Sequence, residues 1–202
     1  MSRIIAGAAG GLTLKSVPGD ATRPTTDRVK EALFSRLESW NVLNSARVLD
    51  LFAGSGALGL ESASRGARSV LLVEKAPKAV TVCQHNAAAV NRALKSQTVQ
   101  VQRGSVDSVL ESFFNHVTGN PSKTFDVVFL DPPYPLTESE LELTLQKVSR
   151  VLAEDATVIV ERSSRSGEPL WPQDLVVIAD KKYGETHLWF AEPVQVQTGP
   201  DL

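Results

Sequence analysis

Ala46-Arg47-Val48-Leu49-Asp50-Leu51 runs directly into Phe52-Ala53-Gly54-Ser55-Gly56-Ala57-Leu58-Gly59. The first six residues read as a buried strand. The glycine-rich stretch reads as a tight turn, and Ala57 opens a helix. Strand, turn and helix in that order start a βαβ unit, and the downstream sequence continues the pattern. Ser69 to Glu74 is a second apolar strand, and Pro77 stands near a helix start, where its missing N–H is no loss. Val99 to Gln102 is a third strand. Val106, Val109, Leu110, Phe113, Phe114 and Val117 then recur with helical spacing and form one apolar stripe. Gly119-Asn120-Pro121-Ser122 ends that helix. Phe125 to Leu130 is a fourth strand, Leu141, Leu145, Val148 and Leu152 mark a helix, and Thr157 to Val160 is a fifth strand. Ser163 to Pro172 reads as a loop. Leu175 to Ile178 and Thr186 to Phe190 form a hairpin around Tyr183-Gly184-Glu185.

Alternating strands and helices predict an α/β fold: a doubly wound, seven-stranded, mostly parallel sheet with an antiparallel edge. Upstream, Arg3 to Ala6 and Leu12 to Leu14 predict a small hairpin across a glycine-rich stretch. Arg23-Pro24-Thr25-Thr26 opens a helix with Val29, Leu33, Phe34 and Leu37 on one face, and Thr25 or Thr26 is its expected N-cap. The expected organisation is an N-terminal hairpin and helix over 1–44, a main domain over 45–192 and a flexible tail over 193–202.

Composition narrows the class. The chain of 202 residues is 42% hydrophobic and 22% charged, typical of a soluble protein. No apolar run is long enough for a membrane span, and the N-terminus lacks a signal core. One cysteine, Cys83, excludes an internal disulfide framework. The three histidines show no metal spacing, so no metal is expected, and the expected location is cytoplasmic. The net charge of −2 is unevenly spread. Residues 1–48 hold seven Lys/Arg against four acids, while the remainder holds 14 against 19. The N-terminal quarter is therefore the better candidate for touching phosphates, through Arg3, Lys15, Arg23, Arg28 and Lys30. For each, a solvated or locally paired side chain is the alternative.

The turn carries binding chemistry. Glycines let backbone turn tightly and approach a ligand, and the helix start offers unpaired N–H groups and a positive dipole end. Gly54, Gly56 and Gly59 match the dinucleotide fingerprint, which keeps a nicotinamide cofactor open. Asp50 favours S-adenosylmethionine, because it can accept hydrogen bonds from a cationic amino group. Glu74 ends the second strand, where a carboxylate binds ribose hydroxyls in either cofactor class.

Asp131-Pro132-Pro133-Tyr134 ends the fourth strand. Two prolines fix φ and remove two donors, leaving a stiff corner that presents acceptors, the Asp131 carboxylate and the Pro132 carbonyl. Such a pair suits an exocyclic –NH2 on a base. Tyr134 adds an aromatic face for a base taken out of its stack. Jointly with the turn, the tetrapeptide predicts an amino-methyltransferase. Guanine N2 and adenine N6, in RNA or DNA, both remain open. A nicotinamide-dependent oxidoreductase and a non-catalytic RNA-binding or assembly factor are the competing classes.

Asp50-Leu51-Phe52-Ala53-Gly54-Ser55-Gly56 resembles the first motif of S-adenosylmethionine-dependent methyltransferases. Arg23 to Phe34, Asp50 to Gly59 and Asp131 to Tyr134, with Arg3-Ile4-Ile5-Ala6-Gly7, Gly11, Leu14 and Tyr183-Gly184, resemble the RsmD family through most of the chain. The resemblance implies methylation of guanine N2 in 16S ribosomal RNA, within an assembling small subunit. By position it implies that Asp50, Phe52, Gly54 and Gly56 line the cofactor, that Glu74 holds ribose, and that Asp131, Pro132 and Tyr134 hold the guanine. Where the family often has Asp or Asn near the adenine, this chain has Ser105, which can still form one hydrogen bond.

Overall fold

The run quoted first becomes the central strand. In the computed structural model, which describes residues 2–18, 27–117, 124–133 and 136–195, β3 spans Arg47–Leu51. The chain proceeds through α2 (Ala57–Ser64), β4 (Ser69–Glu74), α3 (Pro77–Leu94), β5 (Val99–Arg103), α4 (Val106–Val117), β6 (Phe125–Leu130), α5 (Glu138–Ser149), β7 (Leu152–Ser163), β8 (Leu175–Tyr183) and β9 (Thr186–Pro193). The seven-stranded sheet has the order β5-β4-β3-β6-β7-β9-β8. The first five strands named in that order pair in parallel, and β9 and β8 close it antiparallel, as the sequence predicted. The chain winds outward from β3 through β4 to β5, then crosses back to β6. The β3/β6 boundary is therefore the topological switch point, where loops diverge and leave a crevice.

Successive strand residues point to opposite faces. Val48, Val70, Leu72, Val127 and Phe129 enter one core with Leu33, Phe34 and Leu37 of α1 (Asp27–Ser39) and with Leu60, Cys83 and Val90. Leu49, Leu51, Val73, Val128 and Leu130 enter the other with Val109, Leu110, Leu141, Leu145 and Val148. Both faces are thus covered by helices, which explains why the strands read as continuous apolar runs.

Several boundaries differ from expectation: Leu152, expected on the fifth helix, opens β7, and β8 runs on to Tyr183, expected in the turn. Two more differ for clear physical reasons. The N-terminal ladder is only two pairs long, between β1 (Ser2–Arg3) and β2 (Thr13–Leu14). Instead of extending it, the Ile5 and Ala6 N–H groups donate to the fully buried Glu61 carboxylate at 2.7 and 3.1 Å. Such a short hairpin has no stability of its own. Ile4, Ala9 and Leu14 belong to the first core, and Ser64 Oγ accepts from Ala9 N at 2.9 Å. Gly7 lies at φ 82 with its backbone so close to α2 that a Cβ would stand 2.0 Å from the Ser64 carbonyl oxygen. The fifth predicted strand is also longer: β7 runs on to Ser163, because β9 pairs with it as far as Ser163–Thr186. Thr25 and Thr26, the expected caps of α1, lie outside the described residues. No helix among them is long and apolar enough to cross a membrane.

Candidate active site

Parallel register sets out the site before any side chain is considered. Val73 pairs with Leu51, Leu51 with Leu130, and Leu130 with Val160. One residue beyond that row, the carboxyl edge carries Glu74, Phe52, Asp131 and Glu161 side by side. Adjacent strands lie about 4.8 Å apart. Asp131 is therefore one strand from Phe52 and Glu161 and two from Glu74.

The turn half of this edge is tightly built. Asp50 is buried, and its Oδ2 accepts from Gly59 N in the first turn of α2 at 2.9 Å. Burial, partly offset by that bond and reinforced by Glu74, raises its carboxyl from 3.8 to about 7. In this structure Asp50 thus serves a helix start rather than an open surface. Glu74 Oε2 accepts from Gly54 N at 2.9 Å, and Oε1 accepts from Lys75 N and Ala76 N at 2.8 and 2.7 Å. Phe52 adopts φ 61, a strained region for a bulky side chain. Its ring packs against the second core, and the following Ala53 N donates to Val73 O at 2.9 Å.

The glycines play different parts. At Gly59 a Cβ would stand 2.3 Å from Leu72 Cδ2, so helix and sheet could not approach. At Gly54, with φ +55, a Cβ would meet nothing within 4 Å. Gly54 therefore opens onto unfilled space on its side-chain side, while its N–H is held by Glu74. Gly56, at φ +84, is crowded by Leu72, Cys83 and Leu60.

Asn86 completes the turn. It is buried on α3, donates to Ser55 O at 2.9 Å and Lys15 O at 3.0 Å, and accepts from Lys15 N at 2.9 Å. This side chain ties the N-terminal segment to the glycine-rich turn. Sequence reasoning missed it, because an asparagine among alanines on a helix carries no pattern. The same hydrogen bonds place Lys15 beside the turn with its side chain exposed.

The corner half is open. Asp131 and Pro133 are exposed and Pro132 is buried. Desolvation, then the Glu161 charge and then that of Asp50, raises the Asp131 carboxyl well above its ordinary range. The residue as a whole nevertheless keeps solvent access at the edge row. Pro133 O accepts from Leu136 N at 2.9 Å. Thr137 then caps α5 reciprocally with Glu140, fixing where the chain leaves the edge. Tyr134 lies outside the described residues.

Other predicted positions scatter. Ser105 is exposed, and its hydroxyl accepts from Ser108 N at 3.2 Å, an N-capping contact for α4. Arg3 and Arg28 are exposed, and Arg3 Nε lies 3.4 Å from Asp27. Arg23 lies outside the described residues. Lys30 corrects the expectation of a phosphate contact: it is fully buried, and its Nζ donates to Arg3 O at 2.5 Å. It holds the hairpin against α1, and desolvation lowers its pKa. His187 is buried and paired with Asp180 at 2.8 Å, Cys83 is a buried core thiol, and His85 is exposed, none of them at the edge row. A groove of about 680 Å³ between α3 and β5, lined by Gln84, Ala88 and Arg92 among others, holds none of the edge residues.

Comparison with known proteins supplies the lineage. A family model described as conserved hypothetical protein 95 matches residues 2–192. Ribosomal RNA small subunit methyltransferase D of Escherichia coli K12 is 34% identical over 183 residues, covering 91% of this chain and 85% of the relative. Its Haemophilus influenzae namesake is 32% identical, covering 90% and 89%. The solved structure of a hypothetical protein from Thermus thermophilus superposes with a TM-score of 0.77 at 30% identity, over 95% of this chain and 99% of that one. With a family match across nearly the whole described fold and relatives aligned over nine-tenths of its length, the chain belongs to the conserved hypothetical protein 95 family, which is the RsmD family.

Proposed function

We propose that the protein transfers a methyl group from S-adenosylmethionine to the exocyclic N2 of a guanine in small-subunit ribosomal RNA. The reading places this reaction in the cytoplasm, on an assembling subunit. One observation carries it: the Asp131 corner and the Gly54 turn lie on adjacent strands of one sheet edge, with Glu74 on the strand beyond the turn. The relatives named for ribosomal RNA methylation support the substrate class.

The residues fit the cofactor. Gly54 leaves unfilled space beside the start of α2, and Glu74 offers carboxylate lone pairs where ribose hydroxyls are bound in such folds. Asp50 and Gly56 shape the turn for the methionine end, Phe52 packs beside it, and Ser105 reaches the adenine side. When bound, the cofactor supplies an electrophilic methyl: the amine lone pair forms the new N–C bond while the C–S bond breaks and its electron pair stays on sulfur.

This chain's residues aim the amine. A base amine conjugated with its ring is a poor nucleophile, so orientation matters more than basicity. Asp131 and the Pro132 carbonyl accept the two amine hydrogens and turn the lone pair towards the methyl. The Asp131 carboxylate stabilises positive charge growing on nitrogen and takes up the proton released after transfer. Tyr134 stacks on the base, worth roughly 1–3 kcal/mol. In this reading residues 1–44 supply phosphate contacts through Arg3, Lys15, Arg23 and Arg28, and residues 45–192 carry the chemistry; the tail expected from 193 starts later, since Pro193 pairs with Leu175 in β9 and Val194 N donates to Asp174 O at 2.9 Å.

The test is methyl transfer to small subunits from cells lacking the enzyme, followed by mass spectrometry of the nucleosides. N2-methylguanosine is the expected product. N6-methyladenosine would move the substrate to adenine, and binding of NAD to the exclusion of S-adenosylhomocysteine would remove the methyltransferase reading.

A further inference from the structure

Glu161, which ends a strand 30 residues beyond Asp131 in sequence, is brought beside it by the pairing of β6 with β7. The Leu130–Val160 pair is the last of the β6/β7 ladder, and each strand then delivers one carboxylate to the edge. β9 supports Glu161 from the far side. Leu188 is its register partner, and Thr186 Oγ1 donates to Glu161 Oε1 at 3.4 Å. Glu161 is half-buried, so its carboxylate is held at the rim of the edge. Two neighbouring carboxylates repel and cost stability. The Glu161 charge is the leading electrostatic cause, after desolvation, of the rise at Asp131. Carboxylates with perturbed titration that cluster at a sheet's carboxyl edge are candidates for a binding or catalytic role.

The chemistry of base edges gives one. Guanine presents two adjacent donor groups on its Watson–Crick edge, the N1–H and the N2 amine. Adenine presents its N6 amine beside N1, which is an acceptor. A flipped-out base is read on that edge by hydrogen bonds. An ionised carboxylate only accepts, so it matches N1–H and opposes a bare N1.

Building on the guanine reading above, we propose that Glu161 is the specificity-determining residue of this site: its carboxylate accepts the guanine N1–H while Asp131 and Pro132 hold the N2 amine. Asp131 acts on the reacting nitrogen, and Glu161 selects which base can bring a nitrogen there.

The test uses the full-length enzyme and reconstituted small subunits, with either guanine or 2-aminopurine at the position methylated by the wild type. 2-Aminopurine keeps the amine at C2 but has an acceptor at N1. The wild-type enzyme is expected to favour guanine in kcat/KM by about 10–100-fold, the range of one good base contact. That ratio needs no variant, and a ratio near one overturns the proposal. Glu161→Gln, whose amide can donate to a bare N1, is expected to lower transfer to guanine and raise transfer to 2-aminopurine, inverting or erasing the preference. Equal losses on both substrates, with S-adenosylhomocysteine affinity unchanged, also overturn it and leave Glu161 a supporting residue. If wild-type enzyme yields no N2-methylguanosine, the guanine reading itself has failed; if it does while the ratio stays near one, only the role of Glu161 has.

Discussion

The two halves of the candidate site are built to different rules. The β3–α2 turn is tied on every side: Asp50 to Gly59, Glu74 to Gly54, Asn86 to Ser55 and Lys15, with Gly59 pressed against Leu72. The β6 corner is stiff through its prolines yet exposed, and its carboxylate has Glu161 and Asp50 as electrostatic neighbours. A ligand used in every turnover suits a preorganised cradle, whereas a base drawn from a folded RNA needs an open approach. Defects in the turn should therefore appear first in stability and cofactor affinity, and defects in the corner in turnover.

That contrast breaks if corner variants melt or turn variants do not. Asp131→Ala should have the largest effect, a loss of turnover on the order of 10²–10³-fold. Its melting temperature should hold, and calorimetry should show nearly unchanged S-adenosylhomocysteine affinity. Full activity would show that the corner does not act on the amine. Gly59→Ala should do the reverse. Its new methyl would stand 2.3 Å from Leu72 Cδ2 and 2.9 Å from Val70 Cγ1, in a packed core. Overpacking of this kind is worth about 1–3 kcal/mol, read as a lower denaturant midpoint.

Asp50 sharpens the contrast through pH. Its carboxyl is raised from 3.8 to about 7 in the fold, so between those values the native state holds a proton that the unfolded chain has lost. Stability attributable to Asp50 therefore falls as pH rises from about 4 through about 7. Asp50→Asn keeps an acceptor for Gly59 N and removes the ionisation. It should be more stable than wild type at pH 8 by on the order of 4 kcal/mol, with the gap closing near pH 4. Denaturant melts at both pH values check this, and a pH-independent gap would contradict it. Gly54→Ala should destabilise less than Gly59→Ala, by about 1–2 kcal/mol from its φ of +55 alone, since a methyl there meets nothing. Its larger consequence should be weaker S-adenosylhomocysteine binding, because the methyl projects into open space over the turn.

The alternation of strands and helices was legible because buried parallel strands leave continuous apolar runs and covering helices leave stripes. The two halves of the site were legible for a related reason: glycine and proline impose backbone geometry locally, and Asp50–Gly59 and Asp131–Pro133 are dense in them. Lys30 misled, because a lysine in sequence shows its charge and not its depth. Only the packed hairpin reveals that its ammonium ends on the Arg3 carbonyl. Glu61 and Asn86 left no trace, since each works on backbone groups far away in the chain, Glu61 on Ile5 and Ala6 and Asn86 on Lys15 and Ser55.

By itself, then, the sequence determined the architecture, the cofactor-type turn and the acceptor-only corner, because period, glycine and proline act over a few residues. Tertiary structure decided the order and register of the side chains along the carboxyl edge and which polar groups lie buried. Strand register set Glu74, Phe52, Asp131 and Glu161 in one row, and burial turned Lys30 and Glu61 inward. Register and depth arise from contacts between segments distant in the chain, and no local pattern encodes them.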